Sequence, residues 1–246
     1  MEEKKTYTEG ISMEGGKFSK WLDNFWYHYK WPTIGIAFAL IVFLICKVQA
    51  CSKEEEDITL LYAGRVGLPE SSSSALCDVL EAVMPADFDG NGTKMATLSH
   101  FEILSEEQIK QAEEITDAAG NREYVINRSY NSSEYNTYYR RLQTGESSVL
   151  LLDPWLYQAL LEADRLMPLS SVLQEVPQTA LDGSGVRLGD TEWYWNYSAA
   201  QVLPEDTVIC LLYPYVTGKS SKPELYQREK QMFAALTEQA LLSETN

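Results

Sequence analysis

The chain has 246 residues, 45% hydrophobic, 23% charged and 11% aromatic, which suits a packed globular core and excludes collagen-like or low-complexity architectures. Its net charge of −16, from 36 acidic against 20 basic residues, opposes phosphate binding and makes nucleic acid an unsuitable partner. Two histidines, His28 and His100, are too few for a histidine-rich metal centre; no Gly-x-Ser-x-Gly, P-loop or Cys-x-x-Cys pattern occurs, so nothing points to an enzyme.

The charge is unevenly placed. Residues 1–51 carry six lysines and five acidic residues, a net of +1, whereas the remaining 195 carry 14 basic and 31 acidic side chains, a net of −17. A near-neutral arm is therefore joined to a strongly acidic body. In the arm (1–30), Phe18, Trp21, Leu22, Phe25, Trp26 and Tyr29 recur at helical spacing on one face, with Lys17, Lys20, Asp23, Asn24 and Lys30 on the others. An aromatic stripe opposite lysines is what a helix lying in a membrane interface needs. Residues 33–46 then run without a charge, and 31–50 contain only Lys47. At about 1.5 Å per residue, twenty residues cross a hydrocarbon core of about 30 Å. A transmembrane helix is expected over 31–50. Lys17, Lys20 and Lys30 before it, against Lys47 after it, predict a signal-anchor with a cytoplasmic N-terminus and an extracytoplasmic body. Val48-Gln49-Ala50-Cys51 faintly resembles a lipoprotein box, although Gln49 is atypical there and Lys47 interrupts the apolar approach.

After a short polar linker (51–57), the body (58–246) alternates strand and helix signals. Strands are expected at 58–64, 93–104, 123–127, 147–153 and 207–213. Helices are expected at 72–83, from Ser105 to about Ala118, at 133–142, from Pro154 onward, and from about Glu224 to Leu242. Ser105 and Gln108 have capping-box spacing, and Pro154 suits a first helical position. This alternation predicts an α/β domain with a mostly parallel sheet. Cys77 and Cys210 fall in the body, either as a disulfide in an oxidising compartment or as reduced thiols.

Two groups of residues suggest binding chemistry. Asp87, Asp89 and Asn91 stand at positions 1, 3 and 5 of a calcium loop of the EF-hand type, with Gly92 at 6 and the Thr93 carbonyl at 7. Position 12 is Leu98, which offers no oxygen, so Ca²⁺ would need Glu102 or another distant carboxylate; a tight turn is the competing reading. Tyr138 (beside Tyr135 and Tyr139) and the pair Trp193 and Trp195 could line a ligand cleft, against plain core packing. Asp153 ends an apolar strand, where α/β sheets place ligands.

The order ITLLYAG (58–64), YYRRLQTG (138–145) and SSVLLLDPWLYQALLEADRLMPLSSVL (147–173) resembles extracytoplasmic solute-binding proteins of the type 2 periplasmic class. KWLDNFWYHYKW followed by the apolar run and LLYAG also looks like uncharacterised membrane-anchored proteins of Gram-positive gut bacteria. The resemblance implies a small solute as ligand. The expected function is thus a membrane-anchored binding or sensing domain in contact with the lipid bilayer. The alternative is a structural or scaffolding domain that meets an envelope protein and uses calcium for rigidity.

Overall fold

The computed structural model describes residues 17–51, 56–115 and 125–237. Lys17–Cys51 form one continuous helix, α1, that runs through Pro32. Proline has no N–H, so one backbone bond is missing there. The amphipathic and apolar stretches, distinct in sequence, nevertheless share this single helix. Within it, Tyr29–Cys46 is long and apolar enough to cross a membrane, with 18 residues, a mean hydropathy of 1.8 and no position buried. Residues 1–16 of the arm and 52–55 of the linker lie outside the described residues.

The body, by itself, is a five-stranded sheet covered by helices on both faces. The strands are β1 (Ile58–Gly64), β2 (Ala96–Glu102), β3 (Val149–Leu152), β4 (Gly185–Arg187) and β5 (Val208–Leu211), in spatial order β2-β1-β3-β5-β4. The helices are α2 (Glu70–Val83), α3 (Glu106–Glu114), α4 (Arg128–Thr144), α5 (Pro154–Glu162), the short α6 (Glu192–Asn196) and α7 (Pro223–Thr237). The expectation of a mostly parallel sheet is corrected: β1 is parallel to β2 and β3, but β5 is antiparallel to both β3 and β4, so the sheet is mixed. A strand buried on both faces shows the same apolar run in either direction. Direction is set by the connection, and β5 is reached from β4 through α6 and short 3₁₀ turns rather than through one long crossover helix.

Strand alternation sorts the core into two layers. Ile58, Leu60 and Tyr62 of β1, with Leu98, Leu151 and Ile209, pack against Leu76 and Leu80 of α2, Trp193 of α6 and Phe233 of α7. Leu61 and Ala63, with Phe101, Leu150 and Cys210, pack against Tyr138 and Leu142 of α4 and Leu156 of α5 on the other face. Cys77 and Cys210 are free and lie in these opposite layers, so they form no disulfide here. Burial pushes both thiols up from their ordinary value.

Local signals set several boundaries. Ser105 accepts from the Gln108 N–H while the Gln108 side chain accepts from the Ser105 N–H, the full capping box. Asn127 caps α4, which begins five residues earlier than the sequence pattern predicts. Gly145 ends α4 in the left-handed region at φ 70°, and a Cβ there would lie 1.9 Å from the Thr217 carbonyl oxygen, so only glycine fits. Residues 125–127 carry no strand, and 123–124 of that expected strand lie outside the described residues. The expected helical residues 116–118 and 238–242 lie outside them too.

Candidate functional site

Chain direction creates a crevice at one end of the sheet. After β1 the chain turns onto one face as α2, and after β3 it turns onto the other as α5. Where adjacent strands send their connections to opposite faces, open α/β sheets leave a ligand crevice beyond the strands' carboxyl ends. Four polar side chains converge there. Arg65 follows β1, Asp153 follows β3, Asp206 precedes the antiparallel β5, and Gln108 belongs to α3.

The Arg65 guanidinium is the centre of the group. Its Nη1 donates to Asp153 Oδ2 at 3.0 Å and to Asp206 Oδ2 at 3.1 Å, and its Nη2 donates to Asp206 Oδ1 at 2.6 Å. Gln108 Nε2 donates to both Asp153 carboxylate oxygens, at 3.2 and 3.1 Å. The hydrogen bond to Asp206 holds Arg65 above its ordinary value, with burial opposing. The two carboxylates differ in setting: the Asp153 side chain is 4% exposed and that of Asp206 is 48% exposed. Asp153 also occupies the N-cap position of α5 without capping it. Its carboxylate is directed to Arg65 and Gln108 instead. Below, the Tyr62 hydroxyl accepts the Val66 N–H at 3.3 Å, and burial pushes that phenol up to about 12.

A groove of about 650 Å³ adjoins this group through Ser105 and Trp155, and Tyr135, Asn131 and Asn136 of α4 form its far wall. Tyr135 and Trp155 stack with ring centroids 6.2 Å apart and planes 17° from parallel. Among the described residues, the Trp155 indole nitrogen is buried with no hydrogen-bond partner. Such an orphan N–H is uncommon and calls for a partner. Asn131 pins the groove's floor, accepting the Leu104 N–H at 2.8 Å and donating to its carbonyl at 3.0 Å.

Of the other candidate ligand residues, Tyr138 is 3% exposed beneath Tyr135 and its hydroxyl has no partner among the described residues. Trp193 is fully buried in α6, its indole N–H donating to the Leu236 carbonyl at 3.1 Å. Trp195 is 49% exposed and donates to the Gly189 carbonyl at 2.8 Å. Asp153 alone of the four is part of the polar network at the crevice. Arg65 escaped the sequence reading because its partners lie 88 and 141 residues away.

At the opposite end of β1 lies an acidic cluster. One carboxylate oxygen from each of Asp57, Asp87 and Asp89 falls within 4.8 Å of the others, a set that could hold a metal ion. The third carboxylate is Asp57, 1% exposed, and Glu102 sits at the far end of β2. Asp57 accepts the N–H groups of Phe88 (2.8 Å), Asp89 (2.9 Å) and Met95 (3.0 Å), so it also ties the loop to β1. Asp87 accepts from Gly90 and Gly92, both at 2.7 Å, and these glycines adopt φ of 76° and 94°. Asn91 accepts the Thr93 N–H and hydroxyl at 2.7 and 2.6 Å.

The Gly92 N–H, more than any other group, lowers the Asp87 carboxyl below its ordinary value. A carboxyl lowered on folding contributes stability that is present above about pH 3.9 and lost as pH falls through the folded value. A carbon-13 NMR titration is expected to show Asp87 protonating below the ordinary aspartate range. Titration at or above about 3.9 would contradict the loop geometry. Compared with family models, curated proteins and solved structures, the chain has no match.

Proposed function

We propose that this chain is a membrane-tethered extracytoplasmic binding or sensing domain with its N-terminus in the cytoplasm. Its ligand, a small solute, seats in the groove lined by Ser105, Tyr135, Asn136 and Trp155, beside the Arg65–Asp153 group. The observation that carries this reading is the Arg65 network at the sheet's switch point, beside a groove lined by the stacked rings of Tyr135 and Trp155. Aromatic faces with a few convergent polar groups suit a small polar solute. The apolar span of α1 and the lysine asymmetry around it support the anchoring and the orientation. No catalytic role is assigned to any residue.

A second reading, a calcium-stabilised scaffolding domain that contacts an envelope protein, is favoured by Asp57, Asp87 and Asp89. Two carboxylates from the turn before β2 and one from just before β1, gathered at one point, suit a hard cation. Thermal melting of the full chain in nanodiscs separates the two. A bound sugar, amino acid or short peptide at one hundred times its Kd should stabilise the body by about 2.7 kcal/mol, and Tyr135→Ala with Asn136→Ala should abolish that shift. A shift with calcium alone, lost in Asp87→Ala, would displace the solute-binding reading in favour of the scaffold.

A further inference from the structure

The outer edge of β2 is open. Among the described residues β2 is the end strand of the sheet, and all seven of its residues pair in unbroken parallel register with β1. In a parallel ladder, alternate residues turn both backbone groups to the same neighbour. Ile103 donates to the Gly64 carbonyl, and Asp57 donates to that of Met95. The odd-numbered residues therefore face β1, and Ala96, Leu98, His100 and Glu102 face outward. The beginning of that edge is closed: the Ala96 N–H donates to Glu81 Oε1 at 3.1 Å, and Cys77 lies beside Leu98 in the wall of the same cavity. From His100 onward the outward N–H groups meet no such side chain among the described residues.

Proline, lysine and a bulge, three devices that blunt an edge, are missing from this strand. ATLSHFE contains no proline or lysine, and its register has no bulge. The other end strand, β4, is only three residues long. β2 has a cavity on each side. One, about 420 Å³, lies against α2 with Ser73, Cys77 and Leu98 in its wall. The other, about 340 Å³, lies against α4 with Glu102, Tyr130 and Glu134. Leu68 and His100 line both, so the two form one trough along the strand. A strand added to the edge would send alternate side chains to opposite faces, one set towards each cavity.

The charge of the trough selects the occupant. Glu70, Glu102 and Glu134 line it, and among the described residues His100 is its only basic side chain. Glu134, with burial and Glu102 adding to it, pushes the Tyr130 phenol up from its ordinary value, and all three residues line the same cavity. A second copy pairing through this edge would bring the same carboxylates against themselves, and like charges opposite each other oppose pairing. A cationic strand meets the opposite sign at every one of these positions.

We propose that the open edge of β2 is a strand-addition site that captures an extended polypeptide segment bearing lysine or arginine side chains, seated between α2 and α4. The probe is a fluorescent octapeptide of alternating lysine and valine, titrated by anisotropy onto the full chain in neutral-lipid nanodiscs at physiological salt. Saturable binding is expected. N-methylation of alternate residues should lower affinity at least tenfold when it removes the N–H groups of one edge and leave it unchanged for the other edge. Glu102→Gln with Glu134→Gln, both at the rim, should cost a similar factor without altering the melting midpoint. Equal binding of the two N-methylated isomers would show attraction to surface charge only and overturn the proposal, as would no saturable binding. Self-association of the chain that Glu102→Lys abolishes would assign the edge to a second copy and overturn it likewise.

Discussion

Lys219→Met is expected to destabilise the body by about 3–5 kcal/mol, because it leaves a buried carboxylate without its counter-charge. Lys219 and Glu229 form an ion pair whose side chains are only 5% and 3% exposed. Glu229 Oε1 also accepts the Ser148 N–H at 2.9 Å, while its Oε2 is buried with no partner among the described residues. The Ser148 hydroxyl lies 3.2 Å from that of Thr217, and Lys219 Nζ lies 3.5 Å from the Glu146 carbonyl oxygen. This knot joins the start of β3 to α7 through the 217–219 turn. Replacing both charges at once leaves no ion to desolvate, so Lys219→Met with Glu229→Gln should recover most of the loss. The glutamine oxygen can still accept from Ser148. Denaturant unfolding of the full chain in detergent, followed by tryptophan fluorescence, reads both variants. A loss below about 1 kcal/mol for the single variant is the value of a solvated surface pair, and it would refute the burial assigned to this one.

The elements that were legible in the sequence are those whose signals are local. β1 appears at 58–64 as expected, since an uninterrupted apolar run stops at a glycine. The start of α3 follows from Ser105 and Gln108, and that of α5 from Pro154. β4 was hidden because Gly-Val-Arg is too short for any periodicity, and only Val186 and Gly185 are buried in it. The direction of β5 was hidden for a different reason: Val208–Leu211 is fully buried, and such a run has no polar face to reveal its orientation.

The candidate site divides along the same line. The position of Asp153 at a strand end could be read from the chain, but its partners could not, since Arg65 and Asp206 are brought to it only by strand order. The acidic loop shows the limit more sharply. Asp87 and Asp89 carry the right spacing, whereas Asp57 ends a charged run, SKEEED, that reads as solvated linker. Its burial follows from the first residue pair of the β1–β2 ladder, Ile58 with Ala96, which draws the 87–95 loop over it. A carboxylate that caps a loop through tertiary pairing leaves no mark in its own sequence.

Trp193 and Trp195, two residues apart, make the strongest test of whether the structure separates core from surface correctly. Trp193 is fully buried against α7, and its indole N–H is the donor to the Leu236 carbonyl. Trp193→Ala should therefore cost about 3–5 kcal/mol, the range for emptying a buried aromatic site. Trp193→Phe keeps much of the packing but leaves that carbonyl without its donor, which adds about 1–3 kcal/mol of desolvation. Trp195 is half exposed, with an edge-on contact to Tyr194 at 5.1 Å and a hydrogen bond to Gly189. Its replacement by alanine should cost no more than about 1.5 kcal/mol, the net worth of one hydrogen bond near solvent. The same denaturant unfolding measures all three. Comparable losses at 193 and 195 would mean that α6 does not present opposite faces to core and water, and Trp195 would then be unavailable to any ligand. The expected asymmetry leaves Trp195 as the member of the pair that a solute could touch, while Trp193 holds α6 against the end of α7.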